Sequence, residues 1–389
     1  MSEKPLRVAL DLSSALERPL TGVGYVALHQ ANALANLGTF LDLRLFATRA
    51  RGVTIPENLQ GAFTQSFVVP NMRRAKLAIW SRYNWPPIEW FCGDVDIAHG
   101  LFHGLPAARR AKRVVTIHDL VVFRYPETHT KATVRAHRRL LTHAALHADA
   151  LIAVSESCRE DLVEQLNVPP GRIYVVPNGV WLEEFQGELD NEALKRWKQR
   201  LEIGSDYWIY IGTIEPRKNL DRLLVAYADT VRRFPECPDL LLVGRRGWHS
   251  KTVFDAIRYL ALKQTALEHK IKQVGYLARS DVILLLRGSA GCLYPSLYEG
   301  FGLPVLEAMA ARVPVLTSNV SAIPEVIGPH GVLIDPEDVD DLKSGLERLL
   351  MERDLCSQMV AKAYERAQGF SWQASAQRLA EVYEKIHRS

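Results

Sequence analysis

Short, unbroken apolar runs recur along the chain, each followed by a helical stretch, and this alternation restricts the fold more than any other feature. Leu6–Leu12, Leu41–Ala47, Asp94–His99, Arg113–His118, Ala150–Val154 and Ile173–Val176 read as strands. Helices are expected at Tyr25–Leu37, stopped by Gly38, at Thr130–His147, and from an N-cap at Ser155 to Leu166. Continuous apolar strands alternating with helices make a parallel sheet covered on both faces.

The series then starts afresh. Gly187–Arg200 is polar and reads as a linker with a short helix. Strands are expected again at Tyr207–Ile211, Asp239–Val243, Ile271–Gly275, Gly291–Tyr294, Val313–Leu316 and Gly331–Ile334. Helices are expected at Asn219–Phe234, Lys251–Glu268, Val305–Ala311 and Val339–Met351. Two arrays in 389 residues suit two domains, 1–186 and 187–370. Doubly wound sheets take their ligands at the carboxyl ends of their strands. A last helix over Ser371–His387 is expected, with Ser371 as its N-cap.

Composition removes several classes. Apolar residues make up 48% of the chain, enough to bury a core, so disorder is not its main state. No apolar run is long enough for a membrane-spanning helix, and Met1–Leu12 lacks the layout of a signal peptide, so an intracellular location is expected. The five cysteines (92, 158, 237, 292 and 356) are dispersed, as reduced thiols are, and their spacing offers no structural zinc site. Residues 1–180 hold 21 Lys and Arg against 15 Asp and Glu, while the rest hold 27 against 29. The positive excess thus lies wholly in the first half, which points to an anionic partner there.

Four stretches carry candidate chemistry. In Tyr294–Ala311, Glu299 and Glu307 bracket Gly300, Phe301, Gly302, Leu303 and Pro304. The glycines allow close backbone approach, Pro304 suits a first helical turn, and a helix N-terminus suits a phosphate. The same pattern also describes a strand, a glycine turn and a helix with surface carboxylates. Gly212, Thr213, Arg217 and Lys218 follow the first strand of the second array. Two adjacent cations opening a helix oppose its dipole, so they either serve an anionic ligand such as a diphosphate or are solvated. Gly22 and Gly24, in Thr21–Gly24, give half of a dinucleotide fingerprint whose third glycine is replaced by Ala27. His118, ending a strand before Asp119, either meets a ligand or is hydrogen-bonded at the strand end.

Taken in order, these stretches resemble the retaining, nucleotide-sugar-dependent group 1 glycosyltransferases that carry an E-x7-E motif. The resemblance runs over nearly the whole chain: TGVG at 21–24, TIHD at 116–119, VPNGV at 176–180, GTIEPRKNL at 212–220, VGYL at 274–277 and YPSLYEGFGLPVLEAMA at 294–310. It implies the GT-B architecture, an α/β fold of two doubly wound Rossmann-like domains facing a cleft, with 371–389 packing back on the first. It also implies roles. Arg217 and Lys218 would bind the donor diphosphate, Glu307 the ribose hydroxyls, and Glu299 the transferred sugar. Backbone N–H groups of Phe301, Gly302 and Leu303 would meet sugar and phosphate, and Tyr276 and Leu277 would flank the base. Gly22 and Gly24 would let the first loop approach donor and acceptor, and His118 would sit near the reacting sugar. Many bacterial relatives place Arg where this chain has Tyr25, so a contact there is altered.

Fixed cations and helix N–H groups aimed at a departing diphosphate stabilise its charge, and with no Asp-x-Asp in the chain neither a metal nor another cofactor is expected. GDP-mannose leads as donor, ahead of a UDP- or dTDP-sugar. The acceptor is expected to be a saccharide or lipid-linked saccharide of a bacterial surface polysaccharide or glycolipid. Residues 71–91 combine Arg73, Arg74, Lys76 and Arg82 with Trp80, Tyr83, Trp85, Trp90 and Phe91, and Arg135, Arg138 and Arg139 follow. Either this segment lies on an anionic membrane surface, on the inner face, or its aromatics are core and its arginines solvated. No nucleic-acid motif accompanies these charges. A sugar-nucleotide epimerase and a catalytically silent nucleotide-sugar-binding protein are the competing readings.

Overall fold

The computed structural model describes residues 4–16, 20–38, 40–48, 65–69, 79–80, 82–204, 206–263, 267 and 269–389. The chain forms two compact units. The first comprises residues 1–124, 131–179 and 370–389, and the second 125–130 and 180–369.

The first unit holds a seven-stranded parallel sheet. Its strands are β1 (Leu6–Asp11), β2 (Leu41–Thr48), β3 (Gln65–Val69), β4 (Ile97–Gly100), β5 (Lys112–Ile117), β6 (Ala150–Ala153) and β7 (Ile173–Val175). Their order is β3-β2-β1-β4-β5-β6-β7, with Val8 opposite Ile97 and Leu10 opposite His99. The order reverses between β1 and β4, so ligands are expected past the carboxyl ends of those two strands. Strand β3 carries no expectation from the sequence, because QSFVV is short and follows a long polar stretch.

The second unit holds a six-stranded parallel sheet. Its strands are β8 (Tyr207–Ile211), β9 (Asp239–Val243), β10 (Ile271–Gly275), β11 (Gly291–Tyr294), β12 (Val315–Ser318) and β13 (Val332–Ile334), in the order β10-β9-β8-β11-β12-β13. Here the reversal lies between β8 and β11. The central strands read as apolar runs because both faces are covered: Trp208, Ile209, Tyr210, Leu241 and Leu293 are all essentially buried.

Two boundaries differ from expectation. The first helix runs over Gly22–Ala35, so Gly22 and Gly24 form its first turn rather than the loop before it. Thr21 starts it, accepting the Gly24 N–H at 3.3 Å on its hydroxyl. The second unit begins at Val180 rather than 187, because Phe185 and Glu184 are bound to Arg279 of that unit.

The helix Trp372–Arg388 belongs to the first unit and packs on the helix Gly22–Ala35. Ser371 caps it, and Ser375 Oγ reaches Gln30 at 2.9 Å and the Pro177 carbonyl at 2.6 Å. Within the core, the Tyr383 hydroxyl and His99 Nδ1 lie 2.5 Å apart, and His99 Nε2 meets the Thr116 hydroxyl at 2.9 Å. Burial pushes the His99 imidazole down to about 3, so it is neutral. All five cysteines are free and buried, and no described helix is long and apolar enough to cross a membrane.

Candidate functional site

In the second unit, the loops leaving β8 and β11 flank the point where strand order reverses. The first loop makes a short helical turn over Pro216–Lys218 and reaches Asn219 in a left-handed conformation, φ 59°. Asn219 is wholly buried. Its amide nitrogen donates to the carbonyls of Pro295 at 3.1 Å and Pro336 at 2.6 Å, pinning this loop to those after β11 and β13. The Leu297 N–H adds a 2.9 Å bond to the Arg217 carbonyl.

This pinning brings Arg217 and Lys218 onto Glu299. Lys218 Nζ donates to Glu299 Oε1 and to the Tyr294 hydroxyl, each at 2.5 Å. Arg217 Nη1 lies 2.8 Å from Glu299 Oε2 and donates to the Tyr298 carbonyl at 2.6 Å. Arg217 Nη2 donates to Glu215 Oε1 at 2.8 Å. The cluster therefore sets two cations against two carboxylates, and Glu215, Lys218 and Glu299 are each under 9% exposed. Burial alone would raise the Glu299 carboxyl, but Arg217 and Lys218 overturn it and hold the group at about 2. Burial and the neighbouring Arg217 lower Lys218, against the pull of Glu299 and Glu215.

Glu299 is followed by the turn that enters the helix Leu303–Ala310. Gly302 precedes that helix at φ 99°, and no side chain caps its N-terminus. A Cβ at Gly302 would stand 2.5 Å from Ile323 Cδ1. Glu307, on the same helix, accepts from Arg279 Nη1 at 2.6 Å, and Arg279 Nη2 also holds Glu184 at 2.9 Å. Gly212 and Thr213 follow β8, and the Thr213 carbonyl accepts the Tyr210 hydroxyl at 2.9 Å. Tyr276, past β10, is 53% exposed, with Leu277 beside it half-buried. The structure thus brings Arg217, Lys218 and Glu299 into one cluster and places Glu307 in a separate ion pair.

Gly22, Gly24 and His118 lie in the first unit. Gly24 has no room for a side chain, since a Cβ would stand 2.6 Å from the Ser14 carbonyl, whereas Gly22 faces open space. His118 is buried and its Nε2 donates to the Leu101 carbonyl at 2.8 Å, which leaves Nδ1 as the acceptor nitrogen of a neutral ring. Burial lowers its pKa. Beside it, past β4, stands His103, 2% exposed at φ 24°, its ring 6.1 Å from that of His118. Its Nδ1 is buried without a hydrogen-bond partner, and burial pushes the imidazole to about 3.

Sequence reasoning overlooked Glu215, Asn219, Tyr294, Arg279 and His103. The signal for Asn219 was present: a polar residue between a proline turn and an apolar helix is where a left-handed position falls. No local pattern marks Arg279, which sits 28 residues before the Glu307 it binds.

Residues 191–366 match the family model "Glycosyl transferases group 1", and residues 20–184 match "Glycosyltransferase Family 4". The O-antigen chain mannosyltransferase B of Escherichia coli is 31% identical over 383 residues, 95% of this chain and 98% of that protein. The chain belongs to the group 1 glycosyltransferases. The family expected from the motifs is the family found, and the glycosyltransferase has the GT-B fold. Serotype-specific mannosyltransferase WbdA of Escherichia coli is 28% identical over 246 residues, 62% of this glycosyltransferase and 29% of WbdA. Sucrose-phosphate synthase from Thermosynechococcus elongatus shares the fold with a TM-score of 0.74 at 20% identity, covering 98% of this chain and 99% of that one. WaaG, a glycosyltransferase involved in lipopolysaccharide biosynthesis, does so with 0.73 at 18% identity, covering 96% and 99%.

Proposed function

We propose that this glycosyltransferase moves a mannosyl residue from GDP-mannose to a saccharide or lipid-linked acceptor in bacterial surface polysaccharide or glycolipid synthesis, with retention at the anomeric carbon. The observation that carries the donor site is the buried cluster of Arg217, Lys218 and Glu299 at the point of strand reversal. Mannose is supported by relatives named as mannosyltransferases, one of them similar end to end.

Cleaving a glycosyl–phosphate bond leaves negative charge on the diphosphate and positive charge on the sugar. Arg217 and Lys218, with the uncapped N-terminus of the helix Leu303–Ala310, would receive the first. A diphosphate there would take N–H donors that Glu299 engages, and Glu299 would then accept from sugar hydroxyls. Glu307, oriented by Arg279, accepts from the ribose hydroxyls. Phe301, Gly302 and Leu303 would offer backbone N–H groups to sugar and phosphate, and Tyr276 and Leu277 would border the base. Gly22 and Gly24 remain assigned to the approach of donor and acceptor. His118, neutral with Nδ1 as acceptor, suits a sugar hydroxyl. Two fixed cations supply the charge that a divalent ion supplies elsewhere, so we assign a metal-independent reaction.

The experiment is thermal unfolding with GDP, UDP, dTDP and ADP, each with Mg²⁺ or with EDTA, followed by transfer assays with the stabilising nucleotide's sugars. The reading expects GDP to stabilise in EDTA, and NMR of the mannosylated product to give the anomeric configuration of the donor. Stabilisation by UDP or dTDP instead would replace the donor, an inverted product would remove retention, and a Mg²⁺ requirement would remove metal independence. Interconversion of free nucleotide sugars, or binding without turnover, would favour the epimerase or the silent protein.

A further inference from the structure

The basic aromatic segment falls into two groups. Residues 71–78 and 81 lie outside the described residues, and with them Arg73, Arg74 and Lys76. Of the remaining aromatics, Trp80 is core, 2% exposed, with its indole N–H on the Pro86 carbonyl, and Phe91 packs on the same cluster. Tyr83, Trp85 and Trp90 are the opposite: 67%, 53% and 60% exposed. The Trp85 and Trp90 rings meet edge to face at 5.8 Å, and the Arg82 guanidinium lies 5.8 Å from the Tyr83 ring.

Hydrogen bonds join this segment to further cations. The Asn84 amide exchanges hydrogen bonds with the Ala108 backbone at 2.9 and 3.2 Å, which joins 82–90 to the exposed Arg109 and Arg110. Arg113 bonds Asn84 Oδ1 at 3.3 Å and the His147 carbonyl at 2.7 Å, which brings in Leu146, 67% exposed. Two acids beside the patch accept backbone N–H groups. Glu89 Oε1 accepts the backbone N–H groups of Arg109, Arg110 and Ala111 at 2.8, 2.9 and 3.2 Å, and Asp149 accepts that of Arg113 at 2.7 Å. Exposed aromatic rings joined to a segment of exposed arginines match a surface that is apolar beneath and anionic at its face.

We propose that the surface of Tyr83, Trp85, Trp90, Arg82, Arg109 and Arg110 docks this protein on an anionic phospholipid membrane. The rings enter the headgroup layer, where an amphipathic aromatic finds both apolar and polar partners, and the arginines meet lipid phosphates. A neutral sugar chain would use the rings but leave the cations unmatched, which is why lipid is the occupant chosen.

The test is co-sedimentation of the full chain with vesicles of phosphatidylglycerol and phosphatidylcholine, against phosphatidylcholine alone, at low and high salt. Binding is expected to the anionic vesicles only, weakened by salt. The double variants Trp85→Ala/Trp90→Ala and Arg109→Glu/Arg110→Glu should each weaken it by roughly tenfold or more, with circular dichroism and nucleotide-induced stabilisation unchanged. Equal binding to neutral vesicles, no binding at low salt, or well-folded variants that bind like the parent would overturn the proposal. So would a patch that instead retains soluble mannan or causes self-association. Vesicle binding is read without donor or acceptor, so its failure leaves the transferase reading untouched.

Discussion

Lys218 Nζ and Glu299 Oε1 meet at 2.5 Å across 81 residues of sequence, and neither group has bulk water to fall back on. Arg217 completes the cluster, so two cations share one carboxylate. Lys218→Met is therefore expected to lower transfer by about a hundredfold or more, the scale for removing one charge-stabilising donor. It should also shrink the stabilisation that GDP gives. Glu299→Gln should lose transfer to a similar extent yet keep GDP-induced stabilisation, because GDP lacks the transferred sugar that Glu299 is proposed to hold. Titration of both variants with GDP, beside their turnover, separates the two roles.

Arg279 is the brace of Glu307. Removing it by Arg279→Ala leaves Glu307 and Glu184, both mostly buried, without their shared cation. The loss expected is on the order of 2 kcal/mol, below the figure for a fully buried pair. GDP should bind more weakly, and a nucleotide-free diphosphate should bind unchanged. Urea unfolding and two-ligand calorimetry check both.

Gly302→Ala should cost about 1–2 kcal/mol for the left-handed backbone alone, before its contact with Ile323. Shortening the neighbour with Ile323→Val should recover only part of that, since the backbone term stays. Full recovery in the double variant would show that side-chain crowding, not φ, is the constraint.

Acid should destabilise the protein well before its carboxylates protonate. His99 and His103 are held near 3 by burial, whereas in the unfolded chain they titrate near 6.5. Their neutral forms thus contribute stability that is complete above pH 6.5 and is lost as pH falls toward 3. Each histidine adds a slope of about 1.4 kcal/mol per pH unit in that window. Glu299, held at about 2, adds its own loss only below its ordinary 4.5. Unfolding free energies at pH 7, 6 and 5 should show the histidine slope, and His103→Asn, which tolerates the positive φ, should remove one proton's share.

Tyr383→Phe should leave His99 Nδ1 buried and unpaired, at about 1–3 kcal/mol. The change is expected in the first unit alone, so GDP-induced stabilisation should survive it.

The second unit's sheet was legible nearly to the residue. β8, β9, β10 and β11 have the expected ends, and for β8, β9 and β11 the reason is that strands buried on both faces leave polar residues only at their margins. The helix Val339–Met351 has the expected bounds, and Asp338 caps it, accepting from two backbone N–H groups. The first turn of the helix at Gly22 was misread, since two glycines outweighed the cap that Thr21 provides. Of the site, Arg217, Lys218, Glu299 and Glu307 could be singled out from local pattern. Their partners could not: Arg279, Glu184 and Tyr294 reach them only through strand order, which periodicity does not encode. The exposed trio of Tyr83, Trp85 and Trp90 and the buried Trp80 look alike in sequence and part company only in three dimensions.

The helix Trp372–Arg388 gives the order of synthesis a physical meaning. The unit that leaves the ribosome first lacks the helix that covers Gln30 and His99 until the entire second unit has been translated. During that interval its half-finished face is exposed to any apolar neighbour in a crowded cell. A frameshift near codon 370 would therefore damage not the unit beside it in the message but the one translated long before.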